Sequence, residues 1–238
     1  MPQQPVVWIT GASRGMGREI AKQFASIGCR VCVSARSVNQ LTALVKEITR
    51  LGGTAHSFPC DISRVNEIGK TAKAIRSRVG EIDVLVCNAG ITAFKSFHHT
   101  SLDEFKRILD TNLIGSIACI KSVVPSMMRR KKGWIFNIVS QSAIATFKYS
   151  SAYTATKAGM LGVGRVLREE LKTYNIKVVN VLPGATNTPI WRSAVRKQYG
   201  HRMMSPKSVA EAILEIYELP DDVIVDEIVL RPMLGNID

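Results

Sequence analysis

The sequence predicts one doubly wound α/β domain with a mainly parallel sheet of seven strands and helices on both faces. Short apolar runs without polar alternation recur along the chain, as in strands that are buried on both faces. Segments with helical periodicity lie between these runs, and neither a repeat nor a Pro/Gly/Ser-rich linker interrupts the alternation. The 238 residues, 46% of them apolar, suffice for a single domain over residues 1–238.

Ligands of such sheets bind at the carboxyl ends of the strands, so the residues that follow each strand are the first candidates for chemistry. The clearest helix, after the second strand, has apolar residues at helical spacing from Leu41 to Leu51 and stops at Gly52 and Gly53. The predicted strands are residues 6–10, 30–34, 54–59, 82–86, 134–138, 177–182 and 226–230.

A glycine-rich turn follows the first strand and leads into an apolar helix over residues 18–27. Its glycines allow a tight turn and let backbone N–H groups approach a pyrophosphate, while the helix N-terminus supplies positive potential. The turn therefore predicts a dinucleotide site. The candidate binding residues in it are Gly11, Ser13, Arg14, Gly15, Met16 and Gly17.

The end of the second strand indicates which dinucleotide binds. An acidic residue at this point would hold a free adenosine ribose, but the sequence reads Ser34-Ala35-Arg36-Ser37. A guanidinium can pair bidentately with a 2′-phosphate that a carboxylate would repel, and Arg14 supplies a second cation nearby. We therefore predict NADP(H) rather than NAD(H). In the alternative interpretation, Arg36 simply begins a solvated loop.

The third and fourth strands each end at further candidates for the cofactor site. Asp61, followed by Ile62, either accepts a hydrogen bond from the adenine amino group or caps the helix that starts near Ser63. After the fourth strand, Asn88-Ala89-Gly90 leaves room for a ribose, and the Asn88 amide can brace neighbouring loops.

Tyr153 and Lys157 are four residues apart at the start of a helical segment, so their side chains share one face. An ammonium beside a phenol stabilises the phenolate, which predicts a lowered Tyr153 pKa and proton exchange with a carbonyl or alcohol oxygen. Ser140, at the carboxyl end of the fifth strand, can hydrogen-bond the same oxygen, and Ser142 is a second candidate. Asn112 either binds a water that passes protons to Lys157 or marks a helix kink.

The connection over residues 184–206 is longer than a routine loop and carries several large apolar side chains. It is either a substrate lid or a surface excursion that packs its own aromatic residues. The residues concerned are Trp191, Tyr199, Met203 and Met204.

Taken together, these motifs resemble the short-chain dehydrogenase/reductase family over essentially the whole chain. They are Thr-Gly-x-x-x-Gly-x-Gly at 10–17, Asn88-Ala89-Gly90, Asn112, Ser140, Tyr153-x-x-x-Lys157 and Pro183-Gly184. The resemblance implies a Rossmann-type fold, a nicotinamide cofactor and a homodimer or homotetramer. It implies that Gly159, Gly162 and Gly164, which weaken the Tyr153 helix, mark a close approach by a partner subunit. The alternative is packing of this helix on its own sheet.

The resemblance also assigns roles to individual residues. Tyr153 becomes the general acid/base, Ser140 orients the carbonyl, Lys157 binds the ribose and modulates the Tyr153 pKa, and Asn112 serves the proton relay. Arg14 and Arg36 resemble the basic pair of NADP-preferring members. The segment that meets the nicotinamide carboxamide corresponds to Pro183, Gly184 and Thr188. Cys87 stands where a further Asn is common in the family, which removes a hydrogen bond that braces loops.

Composition narrows the remaining classes of function. The net charge of +13 favours anionic partners, but no nucleic-acid-binding motif accompanies it. Five scattered cysteines fit a reducing compartment, and we predict a cytoplasmic protein without a metal site. We predict no interaction with a membrane, since no apolar run is long enough to span a bilayer.

The leading hypothesis is an NADP(H)-dependent oxidoreductase that interconverts a carbonyl and a secondary alcohol. Within the family, the chain most resembles 3-oxoacyl-carrier-protein reductases and 3-hydroxy acid dehydrogenases, which implies an acyl thioester or hydrophobic ketone as substrate. The alternative is an NADP(H)-binding redox sensor with little turnover.

Overall fold

The described part of the chain, residues 4–235 of a computed structural model, forms a seven-stranded sheet flanked by helices. Every pairing between neighbouring strands is parallel, and the spatial order is β3-β2-β1-β4-β5-β6-β7. The fold prediction is confirmed. The strands are β1 (Val6–Thr10), β2 (Arg30–Ser34), β3 (Thr54–Ser57), β4 (Val84–Cys87), β5 (Gly133–Ile138), β6 (Ile176–Pro183) and β7 (Glu227–Leu230).

Helices cover both faces of the sheet, which explains why the central strands read as continuous apolar runs. One core lies under α1, α2 and α8, and the other under α3, α5 and α6. All five residues of β1 are buried between the two layers. The helices are α1 (Gly15–Ser26), α2 (Val38–Arg50), α3 (Val65–Arg78), α4 (Leu102–Leu109), α5 (Gly115–Arg130), α6 (Ser151–Leu171), α7 (Ser193–Tyr199) and α8 (Pro206–Tyr217).

The long helical stretch after β4 is not a uniform α-helix. A π-helical turn, Asp110–Ile114, joins α4 to α5. The continuous stretch Leu102–Arg130 is long and apolar enough to cross a membrane by length and composition. It packs against α3, α6 and β4, which is the environment of a core helix in a globular domain.

The glycines of α6 have different neighbours. A Cβ at Gly164 would collide with the Asn180 side chain on β6, so the predicted close approach exists at this position and comes from the chain's own sheet. A Cβ at Gly159 would lie 3.1 Å from the Leu113 side chain, whereas the space around Gly162 is open among the described residues.

Candidate active site

The glycine turn brings the backbones that follow β1 and β4 into direct contact. Gly11 and Gly15 have φ values of +64° and +58°, in the region that side chains rarely adopt. A Cβ at Gly11 would lie 2.7 Å from Ala89 Cα, and one at Gly17 would lie 2.6 Å from the Gly11 carbonyl oxygen. Glycine is therefore required at these positions by the backbone geometry itself.

Asn88 braces this junction, as its position in the sequence predicts. Its Nδ2 donates to the carbonyl oxygens of Thr10, at 2.9 Å, and of Gly11, at 3.1 Å. The Thr10 hydroxyl in turn accepts the backbone N–H groups of Asn88 and Ala89, at 3.1 and 3.2 Å. These bonds fix the glycine turn to the end of β4.

A groove of about 660 Å³ runs along this junction at the carboxyl ends of the strands. Arg14 and Arg36 are exposed and share the groove with polar side chains that the sequence reading missed, namely Gln40, Arg107 and Thr111. Gly17 lies behind the wall rather than on it. The predicted cofactor residues on the wall are Gly11, Ser13, Arg14, Gly15, Met16, Arg36, Asp61, Ile62, Asn88, Ala89, Gly90 and Thr188.

The capping alternative for Asp61 is wrong. Its Oδ1 accepts hydrogen bonds from the Ser63 backbone N–H, at 3.0 Å, and from the Ser63 hydroxyl, at 2.8 Å. The helix α3 begins only at Val65, after Arg64 at the cap position. The carboxylate therefore stabilises a turn that precedes the helix, and the side chain stays on the wall of the groove.

Ser140, Tyr153 and Lys157 meet where α6 packs against the end of β5. The Tyr153 ring centroid lies 5.5 Å from Lys157 Nζ, which donates to the Ile138 carbonyl oxygen at 2.6 Å. Ser140 makes a hydrogen bond with Tyr153, and its Oγ accepts the Ser142 backbone N–H at 3.1 Å. The tyrosine partner is therefore Ser140, and Ser142 supports it through its backbone.

The pKa values of this cluster are set mainly by burial. Burial raises the pKa of Tyr153 to about 12, and the hydrogen bond with Ser140 acts in the opposite direction. Burial lowers the pKa of Lys157 to about 8. The prediction that Lys157 lowers the Tyr153 pKa is wrong for the chain alone, because the loss of hydration around the phenolate dominates.

Asn112 marks an irregularity in the helix, the second of the two alternatives drawn from the sequence, while its role in a proton relay stays a prediction. It lies in the π-helical turn, and its side chain joins the loop after β4 by accepting from the Ile91 N–H and donating to the Ile91 carbonyl, each at 2.8 Å. Its Nδ2 also lies 3.2 Å from the Thr156 hydroxyl. A Cβ at Gly90 would lie 3.5 Å from Asn112 Oδ1 and 3.8 Å from Lys157 Nζ, so both polar groups border the same small space.

A second cavity of about 640 Å³ opens beside Ser140 and Tyr153. Its outer wall is aromatic, and the rings of Phe94 and Trp191 stack with centroids 4.9 Å apart and an interplanar angle of 11°. The cavity is also lined by Phe147, Tyr149 and Tyr199, and by Pro183, Gly184 and Thr188.

The connection 184–206 forms part of this cavity wall and contains α7. Its aromatic residues Trp191 and Tyr199 face the same cavity as Tyr153, so they do not merely pack against one another. Met203 is buried, and Met204 pairs with Thr186 in an isolated bridge that closes the base of the segment. This arrangement favours the lid interpretation over the surface excursion.

Sequence reasoning missed Phe94, Phe147 and Tyr149, since no motif marks them. Tyr149 has a φ of +65°, which is unusual for a residue with a large side chain, and its carbonyl accepts the Lys95 N–H at 3.0 Å. The backbone strain at Tyr149 becomes visible only in the three-dimensional structure.

The cysteines are buried free thiols. Burial raises the pKa of Cys32 and of Cys87 to about 12. Cys87 Sγ is 3.9 Å from the Ser116 carbonyl oxygen, so the thiol makes only a weak contact where the family commonly has an amide. Within residues 4–235, no cluster of three His, Cys, Asp or Glu side chains is arranged to hold a metal ion.

Comparisons with known proteins identify relatives over the whole fold. The chain is 31% identical over 239 residues to a sepiapterin reductase of Chlorobaculum tepidum, and the match covers 98% of each chain. It is 37% identical over 177 residues to a 3-oxoacyl-[acyl-carrier-protein] reductase of Staphylococcus epidermidis, which covers 74% of this chain and 72% of the relative.

A solved structure of a metagenomic short-chain oxidoreductase in complex with NADP superposes with a TM-score of 0.85. It is 31% identical in sequence, and the match covers 97% of this chain and 98% of the other. The family model described as short chain dehydrogenase matches residues 5–199. The chain therefore belongs to the short-chain dehydrogenase/reductase family of oxidoreductases.

Proposed function

We propose that this oxidoreductase uses NADP(H) to interconvert a ketone and a secondary alcohol, with residues 1–238 working as one unit. The observation that carries the proposal is the meeting of Ser140, Tyr153 and Lys157 at a cavity that adjoins a basic groove. An oxygen atom of a substrate in the cavity is then within reach of two hydroxyl groups, those of Ser140 and of the half-buried Tyr153.

The groove fits a dinucleotide because the glycine turn lies on its wall. Side chains at Gly11 or Gly17 would collide with the backbone of Ala89 or of Gly11, so glycine keeps the turn tight at the start of α1, where a helix N-terminus attracts a pyrophosphate. When bound, NADP(H) supplies or accepts the hydride. We propose that Asp61 and Ile62 hold the adenine, that Asn88 to Gly90 border the ribose, and that Pro183, Gly184 and Thr188 orient the carboxamide.

The preference for NADP(H) is proposed from charge. Arg14 and Arg36 are exposed on the same groove, and neither forms an ion pair within the described part of the chain. Two unpaired guanidinium groups are suited to a 2′-phosphate, which a carboxylate at either position would repel.

Residues of the chain supply the proton that the carbonyl oxygen receives during reduction. With a pKa of about 12, Tyr153 keeps its proton near neutral pH and can donate it to a carbonyl oxygen during reduction. Ser140 hydrogen-bonds the same oxygen. Lys157, with a pKa of about 8, is mostly protonated at neutral pH and supplies the positive charge that stabilises the resulting phenolate. Asn112 holds the loop beside Lys157 and serves the proton relay.

The aromatic cavity supports a hydrophobic ketone or acyl thioester as substrate, in line with the names of the relatives. We also propose a homodimer or homotetramer. The redox-sensor alternative has no observation in its favour, since the buried acid/base cluster opens into a substrate-sized cavity.

The test is consumption of NADPH and of NADH with a panel of 3-oxoacyl thioesters, diketones and aromatic ketones. We expect saturable oxidation with NADPH preferred, and its loss in Tyr153→Phe. Tight NADPH binding without turnover on any member would contradict the enzymatic proposal and support a sensor.

A further inference from the structure

Two asparagine side chains are buried in the sheet that supports α6, and the proposed reaction uses neither of them. Asn137 on β5 and Asn180 on β6 lie opposite each other in the parallel register, and both are 0% exposed. Asn137 Nδ2 donates to Asn180 Oδ1 at 3.1 Å. Burying two amides is costly, and an apolar pair of the same shape would stabilise the core at least as well. The pair therefore indicates a task beyond packing.

Asn180 is in direct contact with α6. A Cβ at Gly164 would collide with Asn180 Oδ1 and lie 2.8 Å from Asn180 Cγ, so only glycine lets the helix come this close. Asn180 Nδ2 also lies 3.5 Å from the Leu161 carbonyl oxygen, one turn earlier in the helix. The oxygen that meets Gly164 is the one that accepts the hydrogen bond from Asn137. The amide is therefore held by the neighbouring strand on one side and contacts the helix on the other.

The same face of α6 carries Lys157. The buried residues Lys157, Leu161 and Gly164 stand at positions i, i+4 and i+7 of the helix. Lys157 Nζ donates to the Ile138 carbonyl oxygen at 2.6 Å, and Ile138 directly follows Asn137 on β5. Two contacts with the sheet therefore locate this face, one at Lys157 and one two turns later at Gly164.

An ion pair ties the same part of α6 to the next strand. Arg165, which follows Gly164, donates to both carboxylate oxygens of Glu227, at 2.7 and 2.9 Å. Glu227 lies opposite Asn180 in the register of β6 and β7, and its Oε1 is 3.4 Å from Asn180 Nδ2. The helix is thus connected to three adjacent strands at the level of Asn180.

We propose that Asn180 is a positioning residue for the reaction, because its contact with Gly164 sets the distance of α6 from the sheet and thereby the place of Lys157 beside Tyr153. This inference rests on the proposed function and concerns that same site. Asn180 lines neither the cavity nor the groove, so it acts through the helix. A displacement of about 1 Å far from the chemistry can cost about 10²-fold in rate.

The decisive variant is Gly164→Ala, whose methyl group would collide with the Asn180 amide. Displacing that amide would break its buried hydrogen bond with Asn137, so we expect the helix to move instead. With saturating NADPH and the ketone of the panel that the wild type reduces fastest, kcat should fall by roughly tenfold.

A second variant, Asn180→Ala, removes the anchor without adding an obstacle, so kcat should fall by only about threefold. In the double variant Gly164→Ala/Asn180→Ala, the methyl group occupies the space that the amide has left. Its kcat should therefore match that of Asn180→Ala within about twofold. Recovery of this kind requires that the two residues act through one contact.

A loss of stability alone would not produce this pattern. Gly53→Ala adds the same methyl group 2.9 Å from Ile48 Cγ2 and 3.0 Å from Ala25 Cβ, against α2 and α1 rather than α6. This matched control should unfold at a lower temperature and keep the wild-type kcat. In Gly164→Ala, the isotope effect on kcat with NADPH deuterated at both C4 positions should be at least that of the wild type, because the chemical step is the one that slows.

An unchanged kcat in either Gly164→Ala or Asn180→Ala would overturn the positioning role, as would a double variant no faster than Gly164→Ala. An equal loss of kcat in Gly53→Ala would also overturn it and assign the effect to stability. Asn180→Ala only removes atoms, so it decides the question even where Gly164→Ala fails to fold. These outcomes leave the proposed function intact, whereas absence of turnover in the wild type would overturn the proposed function and this inference together.

Discussion

The groove and the cavity lie side by side at the same end of the sheet but are built from different materials. The glycine turn on the groove wall is formed by backbone, with Gly11 packed against Ala89 and hydrogen bonds from Asn88 to Thr10 and Gly11. The cavity is formed by side chains from separate segments, such as Phe94 after β4 and Trp191 on the lid segment. In the proposed function, backbone would therefore contact the dinucleotide, which many enzymes share, and side chains would contact the substrate, which differs between enzymes.

This difference explains what the sequence could reveal. A backbone that must turn tightly accepts only glycine, so the groove can be recognised in the sequence from glycines at fixed spacing. An aromatic wall can be supplied from any neighbouring loop, so no sequence motif identifies Phe94 or Tyr149 as cavity residues. Variants that disturb the two regions separately test this difference.

Tyr153→Phe disturbs the cavity alone. The variant removes the proton donor and keeps the ring, so we expect turnover to fall by roughly 10³-fold. The dissociation constant for NADPH should stay within about twofold, because Tyr153 does not line the groove. Steady-state kinetics and NADPH fluorescence titration measure the two quantities. Retention of activity would remove Tyr153 from the acid/base role.

Lys157 lies where the two regions meet, and its buried ammonium costs stability. The folded pKa of about 8 is below the ordinary 10.5, so the unfolded chain binds more protons between these values and stability rises with pH there. Below pH 8 the cost stays at its full value, about 3 kcal/mol. Loss of the hydrogen bond to Ile138 offsets part of the gain in Lys157→Met.

We therefore expect Lys157→Met to be more stable relative to the wild type at pH 7 than at pH 10. Urea unfolding at both pH values measures the difference in the free energy of unfolding. A difference that does not change between these pH values would show that the lysine is not held at a lowered pKa.

Gly17→Ala disturbs the groove alone. Its Cβ would lie 2.6 Å from the Gly11 carbonyl oxygen, so the backbone must shift, and we expect a loss of roughly 2 kcal/mol in stability together with weaker NADPH binding. Gly69→Ala on α3 is the matched control, since this glycine is helical and exposed with open space around it. We expect that variant to gain about 0.5 to 1 kcal/mol. Similar thermal unfolding of the two variants would contradict the close approach.

Arg36→Asp refines the groove side of the comparison. Replacing the guanidinium by a carboxylate should shift the ratio of kcat/KM for NADPH over NADH by at least about tenfold towards NADH. Lys46→Asp on α2 makes the same change of net charge away from the groove and serves as control. A similar shift in both variants would trace the preference to overall charge.

The sequence predicted the sheet because β1, β4 and β6 are fully buried and β2 and β5 are buried at all but one residue, and buried strands are written as apolar runs. The prediction that Asn88 braces neighbouring loops is confirmed, because its side chain alone links the end of β4 to the glycine turn. Prediction from the sequence failed for properties that depend on residues far apart in the chain. The Tyr153 pKa depends on how much of the molecule surrounds the phenol, and the role of Asp61 depends on where α3 begins.

The segment after β6 has a kinetic consequence. Thr188 and Ile190 line both the groove and the cavity, so the two spaces share one wall. We expect that outward movement of this wall would open both spaces, and that a bound dinucleotide would support the wall from one side. The expected kinetic pattern is ordered, with the dinucleotide arriving first and leaving last, and its departure governed by the same segment that admits the ketone.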